Sequence, residues 1–105
     1  MKKLGFGAMR LPLQNPEDKT SINQALLNEL VDKFIAAGFT YFDTAYPYHD
    51  QKSEPAMKAA LADRYDRSSY IFADKMPTVL VKSGEEYPVY FKQQLERTGV
   101  GYFDY

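Results

Sequence analysis

The sequence of 105 residues contains no cysteine, no tryptophan and a single histidine, His49. The absence of cysteine excludes disulfides and thiolate metal sites and fits a reducing, cytoplasmic location. No second histidine or carboxylate cluster stands at ligand spacing from His49, so we expect no metal site. His49 is then either a residue of the substrate pocket or a solvated loop histidine.

The sequence also lacks a basic excess and a long apolar run. The net charge is −1, which argues against nucleic acid as a partner. No apolar run approaches the roughly 20 residues that cross a bilayer, so no membrane partner is expected. Arg10 interrupts the amino-terminal segment MKKLGFGAMRLPL, which is therefore not typical of a signal peptide.

The residues that are present are typical of a globular domain. Apolar residues make up 45% of the chain, charged residues 26%, and aromatic residues 15%. These values exclude a disordered chain, and 105 residues suffice for one ordinary domain.

Short apolar segments alternate with helical patterns along the chain. Four segments rich in β-branched and aromatic residues predict strands: LGFGAMRL, FTYFDTA, SYIFADKM and VGYFDY. Three intervening segments predict helices, the clearest of which has apolar residues at helical spacing from Leu26 to Ile35.

Capping patterns give the expected ends of the helices. We predict N-caps at Ser21, Ser53 and Ser83, and left-handed C-terminal glycines at Gly38 and Gly99. Gln24 and Glu86 complete capping boxes with the first and last of these serines, and Pro55 falls in the first turn of the second helix. Pro88 predicts that the third helix becomes regular only near Glu86 or is kinked there, and Tyr87, Phe91 and Leu95 predict its apolar face.

The resulting order β-α-β-α-β-α-β predicts an α/β fold with parallel strands and right-handed crossovers. Two architectures are compatible with this order. One is a small open sheet. The other is the amino-terminal part of a (β/α)8 TIM barrel, about three and a half βα units, since a complete barrel needs about 250 residues.

Sites in parallel α/β folds form at the carboxyl ends of the strands, where Asp43, Tyr48 and Lys75 are expected. Lys75 is in phase with Ile71 and Ala73, so we expect it to be drawn out of water and to need a partner. Asp43 on the neighbouring strand is that partner. An ammonium beside a tyrosine hydroxyl favours the phenolate, so Lys75 can make Tyr48 a proton donor.

Five segments, GFGAMRLP, YFDTAYPY, KSEPAMKAAL, ADKMP and QLERTGVGYFDY, resemble the amino-terminal part of an aldo/keto reductase. The resemblance runs the whole length in the right order, and is strongest to the bacterial branch that often carries a ferredoxin-like iron–sulfur segment. It implies NAD(P)H-dependent reduction of small aldehydes or ketones. Asp43, Tyr48 and Lys75 match three of the family's four catalytic positions.

The resemblance also implies a cofactor site for NADP or NAD. Gly7, Ala8 and Met9 match the segment that floors the nicotinamide pocket, with Asp43 beside it. Two residues depart from the family pattern: His49 stands where most members have glycine, and Pro88 interrupts a helix that is usually regular.

The family's catalytic histidine and most of its dinucleotide-binding loops correspond to positions beyond Tyr105. We therefore interpret residues 1–105 as a single incomplete domain, inactive by itself and weak or deficient in nicotinamide binding. An alternative is a non-catalytic α/β fragment that persists only by self-association or by association with a missing half. Because a half-barrel leaves open sheet edges, a homo-oligomer is expected.

Each candidate residue also has a structural interpretation. Asp43 could cap a turn, Tyr48 could be a packed aromatic, and the Lys75 ammonium could reach water along its aliphatic stem. Asp43 with Glu54 could form a glycosidase pair, but Glu54 is better explained as a first-turn acid that favours the helix dipole. The glycines of LGFG lack the third glycine of a dinucleotide fingerprint.

Overall fold

The computed structural model describes residues 2–105, which form a small parallel sheet with helices between the strands. The strands and α-helices, in chain order, are β1 (Gly5–Gly7), α1 (Gln24–Ala36), β2 (Tyr41–Asp43), α2 (Ser53–Met57), β3 (Ile71–Ala73) and α3 (Tyr87–Thr98). A π-helical turn, Lys58–Ala62, extends α2, and 3₁₀ turns cover Arg67–Ser69 and Gly84–Glu86.

The three strands pair in parallel in the order β1-β2-β3. Their register places Gly7 opposite Asp43, and Asp43 opposite Ala73. The predicted α/β class and parallel pairing are confirmed. An open sheet of three parallel strands joined by helices is compatible with the amino-terminal part of a (β/α)8 barrel.

The predicted fourth strand, VGYFDY, is not a strand in the structure. Its end nevertheless lies beside β3, since the Asp104 amide donates to the Phe72 carbonyl at 2.9 Å. The carboxylate of Asp104, rather than a strand carbonyl, accepts the Phe72 N–H at 2.7 Å. This side-chain bond replaces a regular ladder, and it could not be foreseen from apolar alternation.

The start of α1 differs from the prediction. Asn23 is the N-cap, and its Oδ1 accepts the Leu26 amide at 3.1 Å. Ser21, the predicted cap, instead donates its hydroxyl to the Asp18 carbonyl at 2.7 Å, so it stabilises the preceding loop. The predicted C-terminal glycine is confirmed, because Gly38 has a φ of +87°.

Ser53 begins α2 but does not cap it. Lys52 holds the N-cap position, while the Ser53 hydroxyl lies 2.8 Å from the Thr44 hydroxyl. The serine therefore ties α2 to the end of β2 rather than to its own amides. Pro55 lies in the first turn, as predicted.

The third helix follows the prediction at both ends. Ser83 and Glu86 form a capping box at a 3₁₀ turn, and the α-helix begins at Tyr87. Pro88 thus falls in the first helical turn, where its missing N–H is not needed. Gly99 ends the helix in the left-handed conformation, with a φ of +64°.

The predicted apolar face of α3 is not the buried face, since Tyr87 and Phe91 are 43% and 45% exposed. The buried residues of this helix are Gln94 and Thr98. Both have backbone partners: Gln94 Nε2 donates to the Lys75 carbonyl at 2.8 Å, and the Thr98 hydroxyl donates to the Gln94 carbonyl at 2.8 Å. Satisfied hydrogen bonds make a polar inner face tolerable.

The main apolar core lies between the sheet, α1 and the α2 segment. Its buried members are Ala8, Leu11, Leu27, Val31, Phe42, Ala56, Met57, Ala60, Leu61, Tyr70, Phe72 and Val100.

Within residues 2–105, no helix combines the length and apolarity that crossing a membrane requires.

Candidate active site

Asp43 and Lys75 meet at the carboxyl end of the sheet. The Lys75 ammonium lies 2.6 and 2.7 Å from the two carboxylate oxygens of Asp43, and 3.1 Å from the Thr44 carbonyl. Asp43 is the last residue of β2, whereas Lys75 follows the end of β3 by two positions. Parallel pairing brings the two ends together, and the predicted partnership of these residues is confirmed.

The electrostatic environment of Lys75 is set by its partners. Partial burial lowers the pKa of Lys75, but hydrogen bonding and charge interactions with Asp43 and Tyr48 outweigh it and raise that pKa above its ordinary value. Its side chain remains 50% exposed, so the expectation that Lys75 is drawn out of water is wrong. The lysine bends back toward Asp43 while its stem stays at the surface.

Tyr48 lies beside this ion pair. It is half-buried, and the Lys75 Nζ atom is 5.2 Å from the centroid of its ring. The structure therefore brings all three predicted catalytic residues together, although they come from two strand ends and a loop. A cation, a carboxylate and a phenol in contact form a group that can move a proton.

The predicted cofactor segment lies next to Asp43. The Ala8 amide donates to the Asp43 carbonyl at 2.8 Å, and Ala8 itself is fully buried. A Cβ atom added at Gly7 would meet nothing within 4 Å, and Met9 is 58% exposed. Gly7 and Met9 thus leave open surface beside Asp43, while Ala8 contributes only backbone.

A left-handed turn follows Tyr48 directly. His49, Asp50 and Gln51 have φ values of +54°, +49° and +70°, a conformation that costs roughly 1–2 kcal/mol for each non-glycine residue. The Lys52 amide donates to the His49 carbonyl at 3.0 Å, which closes the turn. A glycine at position 49 would adopt this conformation without strain.

The imidazole of His49 anchors that turn. Its Nε2 accepts the Leu11 amide at 2.9 Å, so Nδ1 carries the proton and donates to the Lys19 carbonyl at 2.8 Å. His49 is 9% exposed. It is therefore not a solvated loop histidine, and that interpretation is corrected. His49 does line a surface cavity with Met9, so its place in a substrate pocket stays a prediction.

Sequence reasoning missed the role of Glu54. The residue does lie in the first turn of α2, as predicted, but its side chain is buried and accepts a hydrogen bond from Arg97 Nη2 at 3.0 Å. Burial raises the pKa of Glu54, and Arg97 opposes that rise. Because Arg97 holds Glu54, and Lys75 holds Asp43, a glycosidase pair of the two carboxyls finds no support.

Asp74 and Gln94 were also missed. Asp74 Oδ1 accepts the Lys75 amide at 2.8 Å, and Gln94 Nε2 donates to the Lys75 carbonyl at 2.8 Å. Both polar groups of the Lys75 backbone are thus fixed by side chains. A carboxylate next to a strand-end lysine was the available signal for Asp74, whereas no local signal marked Gln94.

Comparison with known proteins gives one match. Residues 3–105 match the model of the Aldo/keto reductase family. No curated protein and no solved structure matches the chain. The match spans nearly the whole chain and includes every residue of the site described above, so the chain belongs to the aldo/keto reductase family of oxidoreductases.

Proposed function

We propose that the protein reduces the carbonyl group of small aldehydes or ketones with NADPH or NADH. The observation that carries this proposal is the contact between Tyr48 and the Lys75–Asp43 ion pair at the carboxyl end of the sheet. Family membership supports the oxidoreductase class, and the site geometry supports the assignment of roles.

In this proposal Tyr48 is the general acid. Its hydroxyl donates a proton to the carbonyl oxygen of the substrate as the carbon is reduced. A phenol is a poor acid in water, with a pKa of about 10. The Lys75 ammonium, 5.2 Å from the centroid of the Tyr48 ring, would be the positive charge closest to the oxygen that gives up the proton.

Asp43 positions the lysine. Its two carboxylate oxygens accept from the Lys75 ammonium, which fixes that ammonium toward Tyr48 rather than toward solvent. The carboxylate also balances the charge of the lysine. Without it the half-exposed lysine side chain would sample many rotamers, and the tyrosine would lose a steady cationic neighbour.

Gly7, Ala8 and Met9 would hold the nicotinamide ring beside Asp43. When bound, the dinucleotide supplies the hydride that reduces the carbonyl carbon. The open surface at Gly7 admits a planar ring close to the backbone, and Met9 offers an exposed apolar contact. These residues would therefore orient the ring, whereas the phosphates are usually bound by the loops after strands 7 and 8 of a barrel.

We propose further that catalysis needs the strand that bears the family's histidine and the later phosphate-binding loops. The test measures NADPH and NADH consumption by the full-length protein with a panel of aldehydes and ketones. Formation of one alcohol per oxidised cofactor is expected. Cofactor oxidation that is independent of the carbonyl compound, or none with any member of the panel, would contradict the proposal.

A second candidate function is a non-catalytic unit that associates with copies of itself. Its support is the apolar surface on and after α3, where Val89, Tyr102 and Tyr105 are 56%, 52% and 75% exposed. Solution mass separates the candidates, because self-association without carbonyl reduction by the full-length protein favours this one.

A further inference from the structure

Two carboxyl groups from different elements meet behind the proposed site. Glu54 of α2 is fully buried, and Asp74 follows the end of β3. Within residues 2–105, Glu54 Oε2 and Asp74 Oδ2 are both buried, and neither has a hydrogen-bond partner. Since the two side chains interact with each other, a single proton between them would satisfy both oxygens.

The charges around the pair also point to one proton. Arg97 binds Glu54 Oε1 at 3.0 Å, whereas Lys75, the other cation that acts on Asp74, is engaged by Asp43 at 2.6 Å. With both carboxyls ionised the group of Glu54, Asp74 and Arg97 would carry a net negative charge in a buried place. One added proton makes it neutral.

We propose that Glu54 and Asp74 share one proton in mildly acidic solution and lose it as the solution becomes alkaline, and that this carboxyl pair positions Lys75. The catalytic meaning of the proposal rests on the proposed function, whereas the shared proton does not. Asp74 is thereby a positioning residue, which acts through the backbone of Lys75 and touches no substrate.

The proton resides mainly on Asp74. Arg97 stabilises Glu54 as the carboxylate, and no cation does the same for the free oxygen of Asp74. Burial and then the charge of Glu54 raise the pKa of Asp74 to about 7. Lys75 and Arg97 oppose this rise without cancelling it.

The protonated pair holds the Lys75 backbone in place. Asp74 Oδ1 accepts the Lys75 amide, and Gln94 fixes the Lys75 carbonyl from α3. Loss of the shared proton would set two carboxylates against each other in a buried place, and Asp74 would turn away. The amide of Lys75 would then lose its partner, and the ammonium its fixed position.

Neighbouring groups do not replace this proton. Tyr46 lies against Arg97, whose guanidinium carbon is 4.2 Å from the ring centroid. Asp104 lines, with Asp74, a cavity of about 300 Å³, but Arg67 holds its carboxylate at 2.7 Å. The cavity gives water a route to Asp74, so the pair can exchange its proton with solvent.

The test follows the side-chain carboxyl of Asp74 by carbon NMR during a pH titration of the full-length protein. We expect a midpoint near pH 7, against about 3.9 for an ordinary aspartate. In the Glu54→Gln variant the midpoint should move down, because the neighbouring negative charge is gone. A midpoint near 4 in the wild type would overturn the proposal.

Unfolding free energy against pH supplies a second measurement. A raised pKa in the folded state means that the folded protein binds the proton more tightly than the unfolded chain does. This contribution to stability is complete below about pH 4 and declines until the pH passes about 7. The Asp74→Asn variant, whose amide resembles the protonated acid, should lack this decline.

Asp63→Asn is the matched control, since Asp63 is exposed and, among residues 2–105, forms its ion pair with Lys58 alone. The unfolding free energy of this control should depend on pH as that of the wild type does. A difference in unfolding free energy between Asp74→Asn and wild type that is the same at every pH would overturn the proposal. Failure of Asp74→Asn to fold at pH 6 would do so too, because the amide should replace the acid.

Activity separates this proposal from the proposed function. Where carbonyl reduction is found, kcat of Asp74→Asn should lack the fall near pH 7 that the wild type shows, with KM unchanged. If Asp74 titrates near pH 7 but the protein reduces no carbonyl compound, the shared proton is supported and the proposed function is rejected. If the protein reduces carbonyl compounds but Asp74 titrates near pH 4, the proposed function is supported and the shared proton is rejected.

Discussion

The Lys75 ammonium lies 2.6 Å from Oδ1 of Asp43 and joins the carboxyl ends of two neighbouring parallel strands. Asp43 pairs with Ala73 on the neighbouring strand, and Lys75 follows Ala73 by two residues. Tyr48 is the third member of the group, and its position depends on the turn that follows it. Each prediction below changes one part of this arrangement.

Lys75→Met should reduce turnover strongly and stability little. The side chain is half-exposed, and exposed ion pairs contribute about 0–1 kcal/mol. The lost cation, in contrast, leaves the phenolate of Tyr48 without a charged neighbour, which should lower kcat by about 10²-fold, within the range of acid–base catalysis. Steady-state kinetics and chemical denaturation measure the two effects. Lys33→Met, which removes an exposed pair with Glu29, is the control and should leave kcat unchanged.

His49→Ala should destabilise the protein. It removes a buried hydrogen bond to the Leu11 amide and a partly buried one to the Lys19 carbonyl, at about 0.5–1.5 kcal/mol each. Alanine also keeps the cost of a positive φ. His49→Gly should therefore be more stable than His49→Ala by about 1 kcal/mol, as glycine adopts this conformation freely.

Urea denaturation of the two His49 variants and the wild type measures this order. Alanine as stable as histidine would show that the imidazole anchors nothing. Glycine less stable than alanine would contradict the role assigned to the left-handed turn.

Residues 1–105 alone should bind nicotinamide dinucleotides very weakly. Gly7, Ala8 and Met9 offer contacts for the ring, but the loops that hold phosphates in barrels usually follow strands 7 and 8. Calorimetric titration with NADPH and with NADH tests this expectation. A dissociation constant in the low micromolar range would mean that the cofactor site lies elsewhere in these residues.

Residues 1–105 alone should also form dimers or larger oligomers. Within the described residues β1 has a strand neighbour only on the β2 side, so its other edge shows unpaired backbone groups. Apolar surface is also exposed at Phe91, Tyr102 and Tyr105. Burial stabilises by about 25 cal/mol per Å², and a few hundred Å² is a large part of a domain's stability of about 5–15 kcal/mol.

Light scattering coupled to size exclusion measures the mass of this form. A cooperatively folded monomer at micromolar concentration would contradict the argument from open edges.

The fold was largely predictable where short-range chemistry decides it. Alternation of strands and helices predicted the parallel sheet, and the glycines at 38 and 99 ended their helices as expected. Pro88 correctly predicted a late start for α3. These features depend on the backbone preferences of single residues, which neighbours in the sequence reveal.

The errors concern side chains whose partners lie outside their own helix. Ser21 and Ser53 look like caps, but their hydroxyls bind a loop carbonyl and Thr44. The apolar spacing of α3 marks one face, but Gln94 is buried instead because it reaches the Lys75 carbonyl. A helical pattern gives no distance to groups outside the helix, so these contacts could not be predicted.

The candidate site divides in the same way. Asp43, Tyr48 and Lys75 could be placed together because strand ends of a parallel sheet meet at one edge. The residues behind them could not be placed. The sequence indicates that Glu54 is a first-turn acid, and only the structure shows that Arg97, on α3, pairs with it. The sequence thus predicts which groups gather at the sheet's edge and misses those that hold them.

Tyr48→Phe is the most direct test of the proposed chemistry. The substitution removes only the hydroxyl, and Tyr41→Phe, on β2 but packed against Tyr105, is the matched control. We expect kcat for aldehyde reduction to fall by about 10²-fold or more while cofactor affinity stays within a few-fold of wild type. Turnover within a few-fold of wild type would contradict the assignment of Tyr48 as the proton donor.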